Sequence, residues 1–251
     1  MKQIAAIFDM DGTVLDTLED LKCALNYAFE EAGHSHDFKR EEVALFFGSA
    51  VHVAIQRGLA REAGMQMEEL LQIGTKGHET VDGIDEAEVN RIQAIYKPYY
   101  EKHCNDNTAP YPGIVDIIRD LRKQGIRCAV VSNKPDPAVQ SLVADLFPDT
   151  FDFSLGEIAG LKRKPAPDMV EKCLDAIGTK AEDAVYIGDS EIDIQTAENS
   201  GLPCISVDWG FRPVSYLRSH GAEVIVSTAA ELGREIMRRR EEEKNKKKCD
   251  L

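Results

Sequence analysis

The sequence predicts an α/β fold: a Rossmann-like, three-layer core on a parallel sheet, with an all-α domain inserted after the first strand. Three observations predict it. From residue 111 onward, short apolar strand patterns alternate with helix-length stretches, which is the signature of a parallel sheet with crossover helices. Between residues 16 and 108 only helical periodicity occurs. An apolar strand at 4–8 precedes that helical block, so it must join the later sheet and the block must be an insertion. The expected domains are therefore a core of 1–15 with 109–251 and a helical domain of 16–108.

Each element follows from local pattern. Leu18, Leu21, Leu25, Ala28 and Ala32 share one helical face, with Thr17 placed to cap and Asp20 three residues later, which predicts a helix over about 17–33. Two more helical stretches fall near 40–63, broken at Gly48, and near 86–104. The polar stretch GTKGHETVDG at 74–83 reads as a loop between them. At Tyr111-Pro112-Gly113 the texture changes, and the strands IRCAVVS, FDFSL, AVYIG, PCISV and EVIVS follow. The two linkers that leave and re-enter the core, near 13–17 and 105–112, are the expected hinge.

Composition limits the function classes. The 251 residues carry 44 acidic and 30 basic side chains, and the net charge of −14 disfavours nucleic acid and anionic membrane surfaces as partners. The longest apolar runs are strand-sized, which excludes a bilayer-spanning helix, and MKQIAAIFD lacks the pattern of a signal peptide. A cytoplasmic location is the expectation. Six cysteines, without a CxxC pair or metal-ligand spacing, read as reduced thiols. The basic run KNKKK follows EEE at a polar helix end and reads as a solvated tail.

In an open parallel sheet, ligands bind where the carboxyl ends of the strands converge. Asp9 and Asp11 follow the first strand; Ser132, Asn133 and Lys134 follow the second; Asp189 and, one helical turn on, Asp193 follow AVYIG. Lys164 sits in KRKPAPD ahead of that strand. Crowded carboxylates repel unless a cation sits among them, and three of them suit a hard divalent ion with oxygen ligands. A hydroxyl and an amide can grip phosphate oxygens while a lysine offsets charge. Taken singly, each residue has an ordinary role: DxDG and GDS as turns, Ser132 and Asn133 as helix-entry residues, Lys164 and Asp193 as solvated side chains. Their joint order carries the catalytic reading.

FDMDGT, VVSNK, KPAP and GDSEIDIQTA, in that order and on those elements, resemble the four motifs of the haloacid dehalogenase superfamily. SNKP, KPAPDMV and the later DWGFR are similar to its phosphoglycolate phosphatase branch and pyrophosphatase relatives. The helical block resembles the cap inserted after the first motif. The resemblance implies a Mg2+-dependent phosphatase that hydrolyses a small-molecule phosphoester, 2-phosphoglycolate among the candidates, through an aspartyl-phosphate intermediate. Asp9 would be the nucleophile and Asp11 the general acid and base. Mg2+ would be held by Asp9 and Asp189 side chains and the Asp11 backbone carbonyl. Ser132 and Asn133 would bind phosphoryl oxygens, Lys164 would stabilise their charge, and Asp193 would orient Lys164 or a metal-bound water.

Competing readings differ at identifiable positions. A phosphoaspartate signalling receiver would be about half as long and lack the insertion. A dehalogenase or a phosphonate hydrolase would depart at Asp11, and a silent binding protein would lack at least one of these residues. A pyrophosphatase or a sugar phosphomutase of the same superfamily stays open. For substrate choice the helical block offers His52, Arg57 and Arg61. His52 and Arg61 fall on opposite helical faces. Arg57 could fork onto a substrate carboxylate, or be a surface arginine.

Overall fold

The computed structural model describes residues 4–75, 77–78 and 81–249. The chain divides into two compact units, one of Met1–Leu15 with Pro110–Leu251 and the other Asp16–Ala109, so Ala109 sorts with the helical unit.

The first unit is built on a sheet of six strands in the order β5-β4-β1-β6-β7-β8: β1 Ala5–Phe8, β4 Arg127–Pro135, β5 Phe153–Glu157, β6 Ala184–Gly188, β7 Cys204–Val207 and β8 Ile225–Val226. All the pairings are parallel. Alternation along β1 explains its continuous apolar sequence, since both faces of a central parallel strand are covered. Ala6 and Phe8 join Val130 and Ile187 on one face, packed against Ile114, Ile118 and Leu121 of α6 (Ile114–Lys123). Ala5 and Ile7 join Val131 and Tyr186 on the other, against Met169, Val170 and Cys173 of α8 (Asp168–Ile177). Truncating Phe8 or Ile7 to alanine would cost about 2–5 kcal/mol. The layered α/β core expected from the strand-helix alternation is thus present, and the ends of β4, β1 and β6 lie side by side. The remaining helices of this unit are α7 Asp136–Leu146, α9 Glu191–Asn199, α10 Val214–Ser219 and α11 Ala229–Cys249. The KNKKK side chains on α11 lie outside the described residues.

The second unit contains α1 Leu18–Ala32, α2 Arg40–Phe46, α3 Val51–Glu62, α4 Met67–Leu70 and α5 Glu86–His103. The expected helix break at Gly48 separates α2 from α3, and the one-turn α4 is too short to show a period. In the stretch 74–83, the described residues form turns without regular structure, while Lys76, Glu79 and Thr80 lie outside the described set. The connections between units are β2 Leu15–Asp16 and β3 Ala109–Pro110, paired as a two-stranded ribbon too short for sequence alternation to reveal.

The capping expectation for α1 needs correction. Thr17 is the N-cap residue but makes no side-chain cap bond. Asp20 instead accepts from the Asn107 backbone at 3.0 Å, the Asn107 side chain at 2.8 Å and the Thr108 hydroxyl at 2.7 Å. A charged acceptor with several donors is worth more to a buried carboxylate than a cap to a helix end, so the residue that looked like half of a capping box ties α1 to the chain after α5.

His34 joins α1, α3 and α5. Its Nδ1 lies 2.7 Å from Glu62 and its Nε2 2.7 Å from Glu88. Burial opposes the charged ring, but the bonds to Glu88 and Glu62 prevail and raise its pKa; Glu88, held chiefly by Arg91, is pushed down to about 2. A raised histidine contributes stability that is complete below the ordinary 6.5 and is lost as pH rises through the folded value. His34→Gln should therefore destabilise the protein at pH 6 by roughly 0.5–1 kcal/mol and flatten the decline above neutrality. Urea unfolding from pH 5.5 to 8.5 checks this; equal slopes for both proteins would contradict it.

Candidate active site

The site is assembled at the carboxyl ends of β1, β4 and β6. Asp9 follows β1 directly, with its backbone N–H bonded to the Ile187 carbonyl of β6 at 2.8 Å. The chain then turns tightly: Gly12 donates to the Leu15 carbonyl at 2.9 Å, and Val14 and Leu15 both donate to Met10, each at 3.0 Å. Gly12 has φ +82°, and a Cβ there would fall 2.3 Å from Asp189 Oδ2, so both conformation and space require glycine. Asp189, at the end of β6, is held on both oxygens: the Thr13 hydroxyl donates to Oδ1 at 3.0 Å and the Phe211 N–H donates to Oδ2 at 2.7 Å.

Lys164 lies at the centre and is 4% exposed. Its Nζ is 2.7 Å from Asp9 Oδ1, 2.9 Å from Asp193 Oδ1 and 3.0 Å from the Tyr186 hydroxyl. Asp193 is in turn fixed through Oδ2, which accepts from the Ser190 hydroxyl at 2.7 Å and from the Ser190 and Asp189 N–H groups at 3.1 and 3.2 Å. Asp193 therefore presents a fixed carboxylate oxygen to Lys164 Nζ. Asn133 grips the Lys164 peptide at both ends: its Nδ2 donates to the Lys164 carbonyl at 3.0 Å, and its Oδ1 accepts from the Lys164 N–H at 2.8 Å. Its side chain is thus occupied by the backbone of Lys164, where a direct hold on phosphate was expected. The Ser132 hydroxyl, buried at the end of β4, accepts from the Lys134 N–H at 3.2 Å. Lys134 Nζ lies 3.1 Å from Asp11 Oδ1.

Oxygens of Asp9, Asp189 and Asp193 lie within 4.8 Å of one another, a donor set of hard carboxylates that fits a divalent ion such as Mg2+. The Asp11 carboxylate stands apart from that set, turned to Lys134.

The haloacid dehalogenase-like hydrolase family model matches residues 6–207, which take in every one of these side chains except Phe211. The chain belongs to this family. It is 33% identical over 218 residues to a phosphoglycolate phosphatase of Cereibacter sphaeroides, covering 86% of this chain and 90% of that one. It is 27% identical to a phosphoglycolate phosphatase of Pseudomonas syringae over 83% of this chain and 72% of the relative. A crystal structure from Lactobacillus delbrueckii subsp. bulgaricus, provisionally assigned as a phosphoglycolate phosphatase, superposes with a TM-score of 0.91 at 55% identity, covering 94% of this chain and 99% of that one.

In this haloacid dehalogenase-like hydrolase, burial sets the electrostatics. Burial, then the Asp193 carboxylate, hold Asp9 well above the usual carboxylate range against the pull of Lys164. Burial and Asp193 likewise push Asp189 up to about 7, against the bonds from Phe211 and Thr13. Burial opposes the charge on Lys164, yet Asp193 and Asp9 outweigh it and keep the ammonium ionised well above its ordinary range.

Two participants escaped the sequence. Tyr186 reads as core filler in the apolar run AVYIG, although a buried phenol needs a polar partner. Lys134 was visible after the second strand but had no assigned partner. Arg57 requires correction in the other direction. It is 1% exposed, and its guanidinium donates to the carbonyls of Leu45, Phe46, Leu71 and Ile73 inside the helical unit. It is neither a surface arginine nor free to fork onto a substrate. His52 pairs with Glu86 at 3.1 Å and Arg61 with Glu42 at 2.9 Å.

A raised carboxyl in the native state means that the folded protein binds more protons than the unfolded chain, so stability falls as pH rises through the gap. For Asp189 that gap runs from the ordinary 3.8 to about 7. In chelator, the stability advantage of wild type over Asp189→Asn should shrink between pH 4 and 7, and added Mg2+ should stabilise wild type alone. Urea midpoints at several pH values read both effects; an advantage that grows with pH would contradict the assignment.

Proposed function

We propose that the protein is a Mg2+-dependent phosphatase acting on a small-molecule phosphoester through an aspartyl-phosphate at Asp9, with 2-phosphoglycolate the first substrate to test. It is a phosphoric monoester hydrolase in this reading, as the relatives named above are by their descriptions. The observation that carries it is the contact of Lys164 Nζ with Asp9 Oδ1 at 2.7 Å, a positive charge that would offset the charge of an attacking Asp9 carboxylate and of the phosphoryl group it meets.

A carboxylate oxygen of Asp9 would bond to phosphorus as the bond to the leaving oxygen breaks, and Asp11 would give that oxygen its proton. Asp11 would then take a proton from water whose oxygen bonds to phosphorus as the bond to Asp9 breaks. Lys134 holds the Asp11 carboxylate, and Ser132 supplies a buried hydroxyl toward the phosphoryl oxygens. Asn133 serves by fixing the Lys164 peptide. A divalent cation held by Asp9, Asp189 and the Asp11 carbonyl would supply charge neutralisation for phosphate and carboxylates together. The helical unit would act as the cap that excludes water and selects the leaving group. Among the described residues no helix is long and apolar enough to cross a membrane, and the reading keeps the cytoplasmic setting expected from the sequence.

A hydrolysis panel of small phosphoesters, sugar bisphosphates and pyrophosphate with Mg2+ present tests the reading. Phosphoester hydrolysis with 2-phosphoglycolate preferred is expected; exclusive cleavage of pyrophosphate, or phosphoryl return to a sugar, would replace it. Asp9→Asn should abolish turnover with the fold intact, and Asp11→Asn should lower kcat by about 10²–10⁴-fold. Chelation should stop turnover, with Mg2+ restoring it and Ca2+ substituting poorly.

A further inference from the structure

The stretch Asp208, Trp209, Gly210, Phe211 and Arg212 leaves β7 and folds back over the ends of β1 and β6. Trp209 Nε1 donates to the Thr13 carbonyl at 3.1 Å. Gly210 comes so close that a Cβ there would lie 2.3 Å from Asp189 Cβ and 2.5 Å from the Gly12 carbonyl oxygen. Phe211 N–H donates to Asp189 Oδ2 at 2.7 Å. Arg212 Nε and Nη2 donate to the two oxygens of Glu191 at 2.8 and 3.2 Å, with both side chains buried. Glu191 is the first residue of α9, two positions beyond Asp189.

We propose that 208–212 is a positioning loop for Asp189 as a metal ligand, and that the buried Arg212–Glu191 pair is the latch that holds the loop in place. The proposal rests on the metal reading given above. The contacts close a ring: the loop's N–H grips the carboxylate of Asp189, and the next residue anchors the loop to the segment that carries that carboxylate. Desolvating two charges is costly, so a buried ion pair is weak evidence for stability and a better candidate for fixing geometry. A carboxylate oxygen bonded to a fixed N–H keeps one orientation, and loss of such outer partners weakens metal binding about 10–100-fold. Glycine at 210 is required by the same close approach.

The test measures Mg2+ binding to the full-length protein by calorimetry, without substrate, beside urea unfolding. Arg212→Met alone takes the guanidinium away from the buried Glu191 carboxylate and is a folding risk, so the decisive variant is Arg212→Met with Glu191→Met, which removes both charges together. Its urea midpoint should stay near wild type while the Mg2+ Kd rises about tenfold or more. Arg212→Lys keeps the charge but loses the fork, and its Kd should rise severalfold. Wild-type Kd in either folded variant would overturn the latch while leaving the metal reading intact. Failure of wild type itself to bind Mg2+ would overturn the metal reading and the latch with it.

Discussion

The ammonium of Lys164, buried between Asp9 and Asp193, is the interaction on which the rest of the site depends. Carboxylate oxygens within 4.8 Å repel by about 3–4 kcal/mol per pair at an effective dielectric near 20. One lysine among Asp9, Asp189 and Asp193 leaves a carboxylate without a cation before any phosphate arrives, and burial first, then the Asp193 carboxylate, raise both Asp9 and Asp189. The surrounding bonds follow from keeping the ammonium in place. Asn133 holds the Lys164 peptide, Tyr186 gives its hydroxyl, and Ser190 with two N–H groups keeps Asp193 from turning away. The carboxylate left without a cation makes a divalent ion chemically apt there.

The sheet makes this crowding possible. Three adjacent strands, β4, β1 and β6, end together, so residues separated by well over a hundred positions meet without long loops. Glycine then sets how near the segments come. Gly12 and Gly210 both face Asp189, and a Cβ on Gly188 would fall 2.2 Å from Asp193. The carboxylates are therefore packed by backbones that no side chain separates, which fixes their positions before a ligand enters.

Much of this was legible in the sequence, and what was not has identifiable causes. Strand periodicity and the position of Asp9, Asp11, Asp189 and Lys164 beside strand ends are local patterns, so the α/β core with its helical insertion could be read from them. Asn133 could be placed at a strand end, but only tertiary structure shows its amide spent on a peptide thirty-one residues away. Tyr186 was hidden by its apolar neighbours. Arg57 was misread because a charged residue on an amphipathic helix implies a wet face, whereas four backbone carbonyls satisfy it inside the unit. Asp20 obeyed helix-start spacing and was claimed by a partner eighty-seven positions on.

The central claim is that Asp9 takes the phosphoryl group covalently before water does. The stereochemical course at phosphorus tests it most directly, using a phosphoester made chiral with oxygen isotopes and a second acceptor alcohol in place of water. Two successive in-line displacements, the first by Asp9, predict overall retention of configuration. Inversion would mean a single direct displacement and would contradict the account.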